Sequence, residues 1–562
     1  MTILKMIKNI STIIILGMVL SLQAQVENVH MTNDVYEFLK EMKVKGIIEN
    51  ISDDNPNLSF GRVKDLLVRI EEKYQQLSLT ELARLKKYRD EFFYDELPLD
   101  RKWEMFGSDS VSGSFSNFFS DRQKLMYSSI KDGNTFKMEM LGKVYHGQEL
   151  SPNKANTTLF GGGVRFYGTL FDKLGYHFSF HKGLARGSRG FGETMAPWLN
   201  SNYHWVENLE KIGNYDFVEG YLKYAVEPTE GMNLSVQLGR EPISFGYGYG
   251  DKFVLSYIDN NFDFLKVNFD YGMIEYTSLH ASTVGSFSFD RSENYSKYFA
   301  LNRVKFKFDN LFDFGFGETI IYSGRSFDLG YVNPLIFYKF VEMSLQDRDN
   351  GTFHFDFQTK CLNNIEFQGT FFMDESVIWR LSELDQYVNK TAYQVGGYWY
   401  EAFGIDDLSF ILEYTRIRPY VYTHSNQKNN YTSYDRLLGH QIGPNSDEIY
   451  AKLAYNFSAD FRATVEYKKI RSGRNVLDED GNVLRNVGSD PNVPWRFESD
   501  SKQSLFLDGV LFNNHIIKAD FRWEPVRDLA FNLIYYLNSE KNITLDKVYS
   551  TSYLMLVMTF DI

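Results

Sequence analysis

Residues 461–468 read FRATVEYK. Apolar and polar residues alternate along it with a period of two, as they do on a half-buried β-strand. The same alternation recurs in TFKMEM (135–140) and RVKFKF (303–308). A soluble β-sandwich would also alternate in this way, so the connections between the strands have to distinguish the two classes.

The connections favour a membrane barrel. Short turns between paired strands alternate with long polar stretches, which is the asymmetry of an outer-membrane barrel with periplasmic turns and extracellular loops. We therefore predict an all-β transmembrane barrel of about 18 antiparallel strands, within a range of about 16 to 20. The predicted short turns are 131–134, 171–174, 228–231, 309–312, 362–364, 404–407, 458–460 and 525–528; the predicted long loops are 183–213, 323–350, 417–446 and 471–502.

Composition agrees with this class. The 562 residues carry a net charge of −13, and 17% of them are aromatic, yet the mean hydropathy is −0.35, so apolar residues are interleaved with polar ones. The acidic balance argues against nucleic acid as a partner, because a phosphate-binding surface is basic. The single cysteine, Cys361, excludes an internal disulfide and a multi-cysteine metal site. We expect no cofactor and no metal.

The N-terminus indicates export. Lys5 and Lys8 precede the apolar run 13–20, and the small residue Ala24 follows. This is the pattern of a cleavable signal peptide over residues 1–24, and the run is too short for a retained membrane helix. We expect a protein of the outer membrane of a Gram-negative cell, in contact with outer-membrane lipid and monomeric.

Residues 25–105 form a separate predicted unit, and residues 106–562 form the predicted barrel with long extracellular loops. Three stretches in the first unit have helical periodicity, with a Ser59 cap, a capping box from Ser78 to Glu81, and Gly46 after the first helix. We interpret this helical bundle as a periplasmic plug of the barrel; a module that touches the cell wall or a partner is the alternative. The predicted buried positions are Val35, Phe38, Leu39, Met42, Val63, Leu66, Leu67, Ile70, Tyr74, Leu82, Leu85 and Phe92.

The stretch 413–448, EYTRIRPYVYTHSNQKNNYTSYDRLLGHQIGPNSDE, has the composition of a ligand-binding surface. In the preceding LSFILEYT (408–415) the even positions form the lipid face, and the same parity would point Arg416 and Arg418 into lipid at high cost. We therefore expect the chain to turn inward at Pro419, with both arginines at the outer rim or in the mouth. Arginine, tyrosine and asparagine suit an anionic or polyhydroxylated ligand. Alternatively, these residues tie the loop to its neighbours, and the arginines pair with acidic residues.

This stretch resembles a block of the capsule assembly Wzi family of outer-membrane proteins. Further segments agree with the family in order: LGREPISFGYGYGDKFVLS (238–256), KYFALNRVKFKF (297–308), IIYSGRSFDLGYVNPLIFY (320–338), QDRDN (346–350), FFMDES (371–376) and NKTAYQVGGYW (389–399). The specific resemblance covers about residues 238 to 448.

The resemblance implies a barrel of about eighteen strands, an N-terminal helical plug, and loops that close the outer mouth. It also implies a lectin-like role, in which the protein binds exported capsular or surface polysaccharide and helps to assemble or attach it at the cell surface. The candidate polysaccharide-binding residues that it suggests are Arg240, Arg325, Asn333, Asp349, Asn350, Glu413, Arg416, Arg418, Tyr420, Tyr422, His424 and His440.

Tryptophans in the predicted loops are further candidates. Trp198 and Trp205 lie in GETMAPWLNSNYHWVEN (192–208), and Trp495 lies in DPNVPWRF (490–497). Stacking on sugar rings would explain them, as would clamping of the loops onto the barrel rim.

Two rival functions follow from the barrel alone. A diffusion porin or transport channel needs an open lumen, which the helical segment argues against. An enzyme barrel needs a nucleophile beside a base; His177, Ser179 and His181 alternate on one strand face, but we interpret them as filling of the lumen. The sequence contains no HExxH and no GxSxG motif, and GYGYGDKF lacks the end of a phosphate-binding loop. We expect a protein without catalytic activity.

Overall fold

The computed structural model describes residues 25–48, 51–107, 115–199, 203–205, 212–256, 260–285, 294–308, 311–346, 348–374, 385–434 and 436–562, with the backbone alone for 115–116, 203–205 and 212. The predicted signal peptide, residues 1–24, lies outside the described residues. No helix in the described ranges combines the length and the apolar character required to cross a bilayer.

The N-terminal region is helical, as predicted. Ser59 Oγ accepts a hydrogen bond from Arg62 N at 3.2 Å, and the capping box of Ser78 and Glu81 is present. Gly46 follows the first helix with φ +81°, a conformation that favours glycine. The helices of the described chain are α1 (Val35–Val44), α2 (Phe60–Glu72), α3 (Leu79–Phe92), α4 (Phe115–Phe118), α5 (Arg189–Met195), α6 (Leu329–Val332) and α7 (Tyr338–Ser344).

One predicted buried position is wrong. Tyr74 is 54% exposed, because α2 ends at Glu72 and the chain continues in a single 3-10 turn, Tyr74–Gln76. The change of helical pitch rotates the ring away from the stripe formed by Val63, Leu66, Leu67 and Ile70, which are buried.

Eighteen strands of the described chain close into one antiparallel barrel, which confirms the predicted strand number. Closure occurs where the last strand pairs with the first, for example Val557 opposite Tyr145. The strands are β1 (Asn134–Ser151), β2 (Asn156–Leu170), β3 (Leu174–Gly187), β4 (Ile212–Val226), β5 (Met232–Glu241), β6 (Phe262–Tyr271), β7 (Ile274–Val284), β8 (Ser296–Phe308), β9 (Phe312–Ser323), β10 (Asn350–Thr359), β11 (Ile365–Asp374), β12 (Thr391–Tyr400), β13 (Leu408–Ile417), β14 (Ser446–Asn456), β15 (Phe461–Arg474), β16 (Val510–Val526), β17 (Leu529–Asn542) and β18 (Lys547–Asp561).

Short paired strands lie outside this ring. Tyr127–Lys131 pairs with β1, and Tyr203–Trp205 pairs with β4. Lys102–Glu104 and Gln123–Leu125 form a parallel pair between the helical region and the barrel. Two small hairpins stand in the long loops: Thr432–Ser433 with Arg436–Leu437, and Val476–Leu477 with Val483–Arg485.

The predicted short turns join neighbouring strands at one end of the barrel; residues 309–310 of one of them lie outside the described residues. The sequence analysis missed a turn at 272–273, between β6 and β7, and two tight connections at the opposite end, 152–155 and 543–546. It also ended two strands too early. β3 continues to Gly187 and β15 to Arg474, because backbone pairing persists after apolar alternation has stopped.

The helical region packs at the short-turn end. Asn364 N donates to Val44 O at 2.8 Å, Ser78 Oγ donates to Asp407 Oδ1 at 3.0 Å, and Lys87 Nζ lies 2.6 Å from Glu524 Oε2. The apolar helix stripes share one buried cluster with inward-facing barrel residues, namely Tyr167, Tyr398, Tyr400, Ile411 and Tyr450.

Buried charges join the segment between α1 and α2 to the barrel wall. Asp54 is fully buried; its Oδ1 lies 2.9 Å from Lys305 Nζ, and Arg303 pairs with the same carboxylate. Arg303 Nη2 also lies 2.6 Å from Asp356 Oδ1, and Lys305 Nζ lies 2.9 Å from Glu275 Oε1. Each charge is therefore compensated by partners from a different part of the chain.

We expect Asp54→Ala to weaken the docking of the helices by about 3 kcal/mol or more, because it leaves Arg303 and Lys305 buried without this partner. Glu71→Ala is the matched control, since its partner Arg89 lies at the surface and Glu71 is 51% exposed; an exposed pair contributes less than about 1 kcal/mol. Hydrogen exchange of α1 and α2 measures both changes. Equal effects of the two substitutions would contradict this assignment.

Acid should loosen the same contact. Burial disfavours the charged forms of Asp53 and Asp54, but Lys40 beside Asp53, and Lys305 and Arg303 beside Asp54, outweigh it and hold both pKa values below the usual range of a carboxyl group. A lowered folded pKa contributes stability that is complete above the unfolded value, about 4, and is lost as the pH falls below it.

We therefore expect protection of α1 and α2 against hydrogen exchange, corrected for the intrinsic rate, to be constant from pH 7 to 5 and to fall below about pH 4. Protection that stays constant down to pH 3 would show that these two carboxylates do not hold the helices.

Candidate functional site

The course of the chain at the end of β13 places the predicted site residues. Leu412 is 50% exposed on the outer face, whereas Glu413 is buried inside. The alternation of outward and inward side chains continues to Arg416, which lies on the outer side opposite Tyr393 and Asp447. The strand ends at Ile417, and the predicted inward turn follows Pro419. The structure thus places both arginines at the rim rather than in the mouth.

The chain beyond Pro419 fills the mouth with buried aromatic side chains. Tyr420 and Tyr422 have φ +64° and +71° and are buried, as is His440. Tyr422 stacks on Tyr431 with ring centroids 5.0 Å apart, its Oη donates to Phe253 O at 3.1 Å, and this Oη accepts from His440 N at 3.1 Å. These three candidates therefore have partners within the protein.

Asparagines fasten the same loop. Asn350 Nδ2 donates to Asn429 O at 2.9 Å, and Asn430 Oδ1 accepts from Lys297 Nζ at 2.7 Å. Asn445 Nδ2 donates to Gly473 O at 2.8 Å. The structure uses these amides, which the sequence suggested as sugar contacts, to bind neighbouring segments of the mouth.

Glu413 holds the glycine-rich segment FGYGYG inside the barrel. Its two carboxylate oxygens accept from Tyr249 N at 2.8 Å and from Gly250 N at 3.0 Å. Gly246 and Gly248 have φ +105° and +151°, and a Cβ at Gly248 would lie 2.7 Å from Asp251 O. Only glycine fits this turn, and the carboxylate of Glu413 is satisfied by protein groups.

Three further candidates lie in the loop between β9 and β10. Arg325 pairs with Asp349 through both nitrogens, at 2.8 and 2.6 Å, and Tyr331 Oη donates to Asp349 Oδ2 at 2.9 Å. Asn333 is exposed, and its Oδ1 accepts from Leu335 N at 3.0 Å. This cluster fixes the loop.

Two candidates remain at separate places. Arg240 lies exposed on the outer face of β5 and pairs with Asp263 at 2.8 Å. His424 is buried, and its Nδ1 accepts from Asn426 N at 3.1 Å.

Trp198 lines a cavity of about 630 Å³ in the other half of the lumen. It contacts Tyr215 edge to face at 5.0 Å, and Arg165, His177 and His181 lie on the same cavity wall. Neither ring nitrogen of His177 has a hydrogen-bond partner among the described residues. The side chain of Trp205 lies outside the described part of the structure.

The rim beside β13 differs from the mouth in its two arginines. The Arg416 guanidinium stacks on Phe506 at 3.8 Å, and neither it nor the Arg418 guanidinium forms an ion pair with a described residue. Arg418 Nε has no hydrogen-bond partner in the described chain. Burial and the neighbouring Arg416 lower the pKa of Arg418 despite the opposing charge of Asp385.

An aromatic stack adjoins the two arginines. Tyr387 and Trp495 lie face to face with centroids 4.0 Å apart and planes at 11°, and Phe497 beside Trp495 is 82% exposed. Hydrogen bonds such as Tyr387 N to Lys502 O, at 3.0 Å, join this segment to the one that carries Phe506. We refer to Arg416, Arg418, Tyr387, Trp495 and Phe497 as the rim surface.

The family model of the capsule assembly protein Wzi matches residues 173–551, which include the mouth and the rim surface. The chain belongs to the Wzi capsule assembly family. The match extends beyond the segments in which the sequence resemblance was noticed and includes most of the barrel.

The fold is that of a solved structure. Wzi of Escherichia coli, an outer-membrane protein involved in group 1 capsule assembly and described as a carbohydrate-binding β-barrel, is similar over 96% of this chain and 99% of its own, with 12% identity and a TM-score of 0.55. OprD of Pseudomonas aeruginosa matches 76% of this chain and 95% of its own, with 10% identity and a TM-score of 0.43. The sequence matches no curated protein at a significant level.

Within this Wzi-family barrel, the sequence indicated only part of the rim surface. Arg416 and Arg418 could be recognised, because strand parity would point them into lipid, where a charged side chain is costly. Trp495 could be recognised as a tryptophan in a polar loop. Tyr387 and Phe497 were missed, as was Phe506 beneath Arg416, since none of them lies in a periodic pattern and their contacts come from folding of separate loops. An aromatic residue in a polar loop is the only signal that could have pointed to them.

We expect Tyr422→Ala to lower the local stability of 420–440 by about 3 kcal/mol, because it removes a fully buried ring and leaves a cavity. Hydrogen exchange of this segment measures the loss. Leu484→Ala, at a loop position that is 66% exposed, is the control and should change protection little. Unchanged exchange in the Tyr422 variant would mean that the loop is not held by its buried ring.

Proposed function

We propose that this chain is an outer-membrane protein that binds an acidic capsular or surface polysaccharide at the rim surface and helps to assemble or attach it at the cell surface. Membership of the Wzi family supports the capsule role, and the carbohydrate binding described for the Escherichia coli protein supports the ligand class. The polysaccharide is bound and not changed covalently.

The observation that carries this proposal is a pair of arginines that form no ion pair with a described residue and that belong to the same surface as an aromatic stack. A guanidinium without an ion pair is available to a carboxylate, which it binds through two parallel hydrogen bonds. Aromatic faces such as those of Phe497 and Trp495 offer apolar surface to the C–H face of a sugar ring. The combination fits a chain of acidic sugars better than a neutral glycan or a small solute.

The burial of the candidate residues in the mouth reduces the number of residues that we assign to ligand binding. Tyr420, Tyr422 and Glu413 have protein partners and His440 is fully buried, so we assign these four residues to closure of the barrel and keep Arg416 and Arg418 as ligand contacts. We propose that α1 to α3 act as the periplasmic plug, since they share a buried cluster with inward-facing barrel residues. A porin is the weaker alternative because segments 243–256 and 420–440 occupy the lumen from the opposite end.

Binding to the cell's own capsular polysaccharide tests the site. We expect Arg416→Gln combined with Arg418→Gln to weaken binding at least about tenfold, because charge-assisted hydrogen bonds contribute about 1.5 to 3 kcal/mol each. Wild-type binding should also weaken as salt rises from about 0.05 to 0.5 M. Immobilised polysaccharide and purified full-length protein in detergent give both measurements.

Arg474→Gln is the matched control. Arg474 stacks on Phe512 at 3.9 Å, much as Arg416 stacks on Phe506, but Arg474 is neutralised by Glu540. The Arg474→Gln substitution should therefore leave the affinity for the polysaccharide unchanged. Wild-type affinity in the double variant, or an equal loss in the Arg474 variant, would remove the rim surface as the site.

A further inference from the structure

Polar side chains occupy the outer wall of the barrel beneath the loop between β9 and β10. Arg303 points inward to Asp54, so its neighbour Asn302 points outward, and strand pairing places Glu318 beside Asn302 on the same outer face. Tyr276 and Tyr322 share that face. Polar groups at such positions would be costly against lipid unless protein partners satisfy them.

The loop supplies those partners by folding back over the outside of the wall. Asn302 Nδ2 donates to Ile336 O at 3.0 Å, and Glu318 Oε1 accepts from Tyr338 N at 2.6 Å. Tyr322 Oη accepts from Asp328 N at 2.9 Å. The loop therefore covers the wall and not the mouth, and the pair of Arg325 and Asp349 fixes its two ends.

The helices of this loop are apolar on both sides. On the inner side Tyr338 is buried against Ile320 and Tyr322, with Val341 and Leu345 packed around them. The outer side is apolar too, and an exposed apolar surface of this kind is typical of a protein or membrane contact. The exposed residues of the outer side are Phe327 (57%), Leu329 (74%), Leu335 (91%), Phe340 (71%) and Met343 (62%).

The outer side is continuous with the lipid-facing wall. Phe337 lies over Phe316 at 6.1 Å and over Phe353 at 6.0 Å, and both are outward residues of β9 and β10. Below them, towards the short turns, Phe314 and Phe357 continue the exposed aromatic face. Lys339, the cation of α7, pairs with Glu342 at 2.7 Å.

We propose that residues 325–345 form a flap that lies in the outer leaflet, with Leu335, Phe340 and Met343 in contact with lipid acyl chains. The occupant is lipid rather than polysaccharide, because the surface is apolar and faces sideways from the barrel. The flap shields Asn302 and Glu318 from the membrane and widens the lipid contact of the barrel just below its mouth. This inference depends on insertion of the barrel in a membrane and not on the ligand of the rim surface.

Spin labels on single cysteines test the flap in full-length protein, reconstituted in vesicles of phosphatidylethanolamine and phosphatidylglycerol. Cys361→Ser removes the exposed native thiol. Leu335→Cys and Phe340→Cys carry the test labels; Phe367→Cys, on the outer face of β11, is the lipid reference, and Asp480→Cys, exposed in the loop after β15, is the water reference. The readout is the ratio of collision rates with oxygen and with a water-soluble nickel chelate.

We expect the ratio at Leu335 and Phe340 to lie within about twofold of that at Phe367, because oxygen concentrates in the acyl region and the chelate is excluded from it. A ratio like that at Asp480 would place the flap in water and overturn the proposal. Low rates with both reagents would mean that protein, for example a second copy, covers the surface, and would overturn it too. Met343→Cys repeats the test if one labelled variant fails to fold.

Discussion

The structure depends on the compensation of buried charge inside the barrel. A closed barrel of this size would leave its inward-facing arginines and lysines in water, but here Arg303 and Lys305 meet the carboxylate of Asp54 from the helical region. Burying these groups costs desolvation that only well-placed partners offset. The helices and the barrel wall therefore depend on each other, because the charged groups of either one can be buried only beside their partners on the other.

The opposite end is closed by a different means. Buried aromatic rings around Tyr422 and Tyr431 pack on the segment that Glu413 holds by two backbone amides. Residues that the sequence suggested as sugar contacts are buried in this packing. What remains free for a ligand is the rim, where neither Arg416 nor Arg418 forms an ion pair with a described residue.

Fold class and strand number could be predicted, because alternation and turn spacing are local properties of the chain. The capping box of Ser78 and Glu81 could be read for the same reason. The partners of Asp54 and Glu413 could not, since they lie more than 150 residues away along the chain. For the same reason the sequence did not show that Tyr422, which follows β13, is buried, whereas Arg416, near the end of that strand, is only partly buried.

The outward folding of 325–345 shows a further limit of pattern reading. Glu318 and Asn302 are polar residues on an outer face that was expected to be apolar. The barrel tolerates them because the loop between β9 and β10 covers them. Long loops of this barrel therefore do three things: they close the mouth, build the rim surface and extend the outer wall. Composition alone does not distinguish the three.

Ion conductance across a planar bilayer tests the central claim most directly. A barrel occupied from one end by helices and from the other by the loops around Tyr422 should show no steady single-channel conductance when the purified protein is inserted. A stable, ohmic open level in most insertions would contradict this account and would favour a channel.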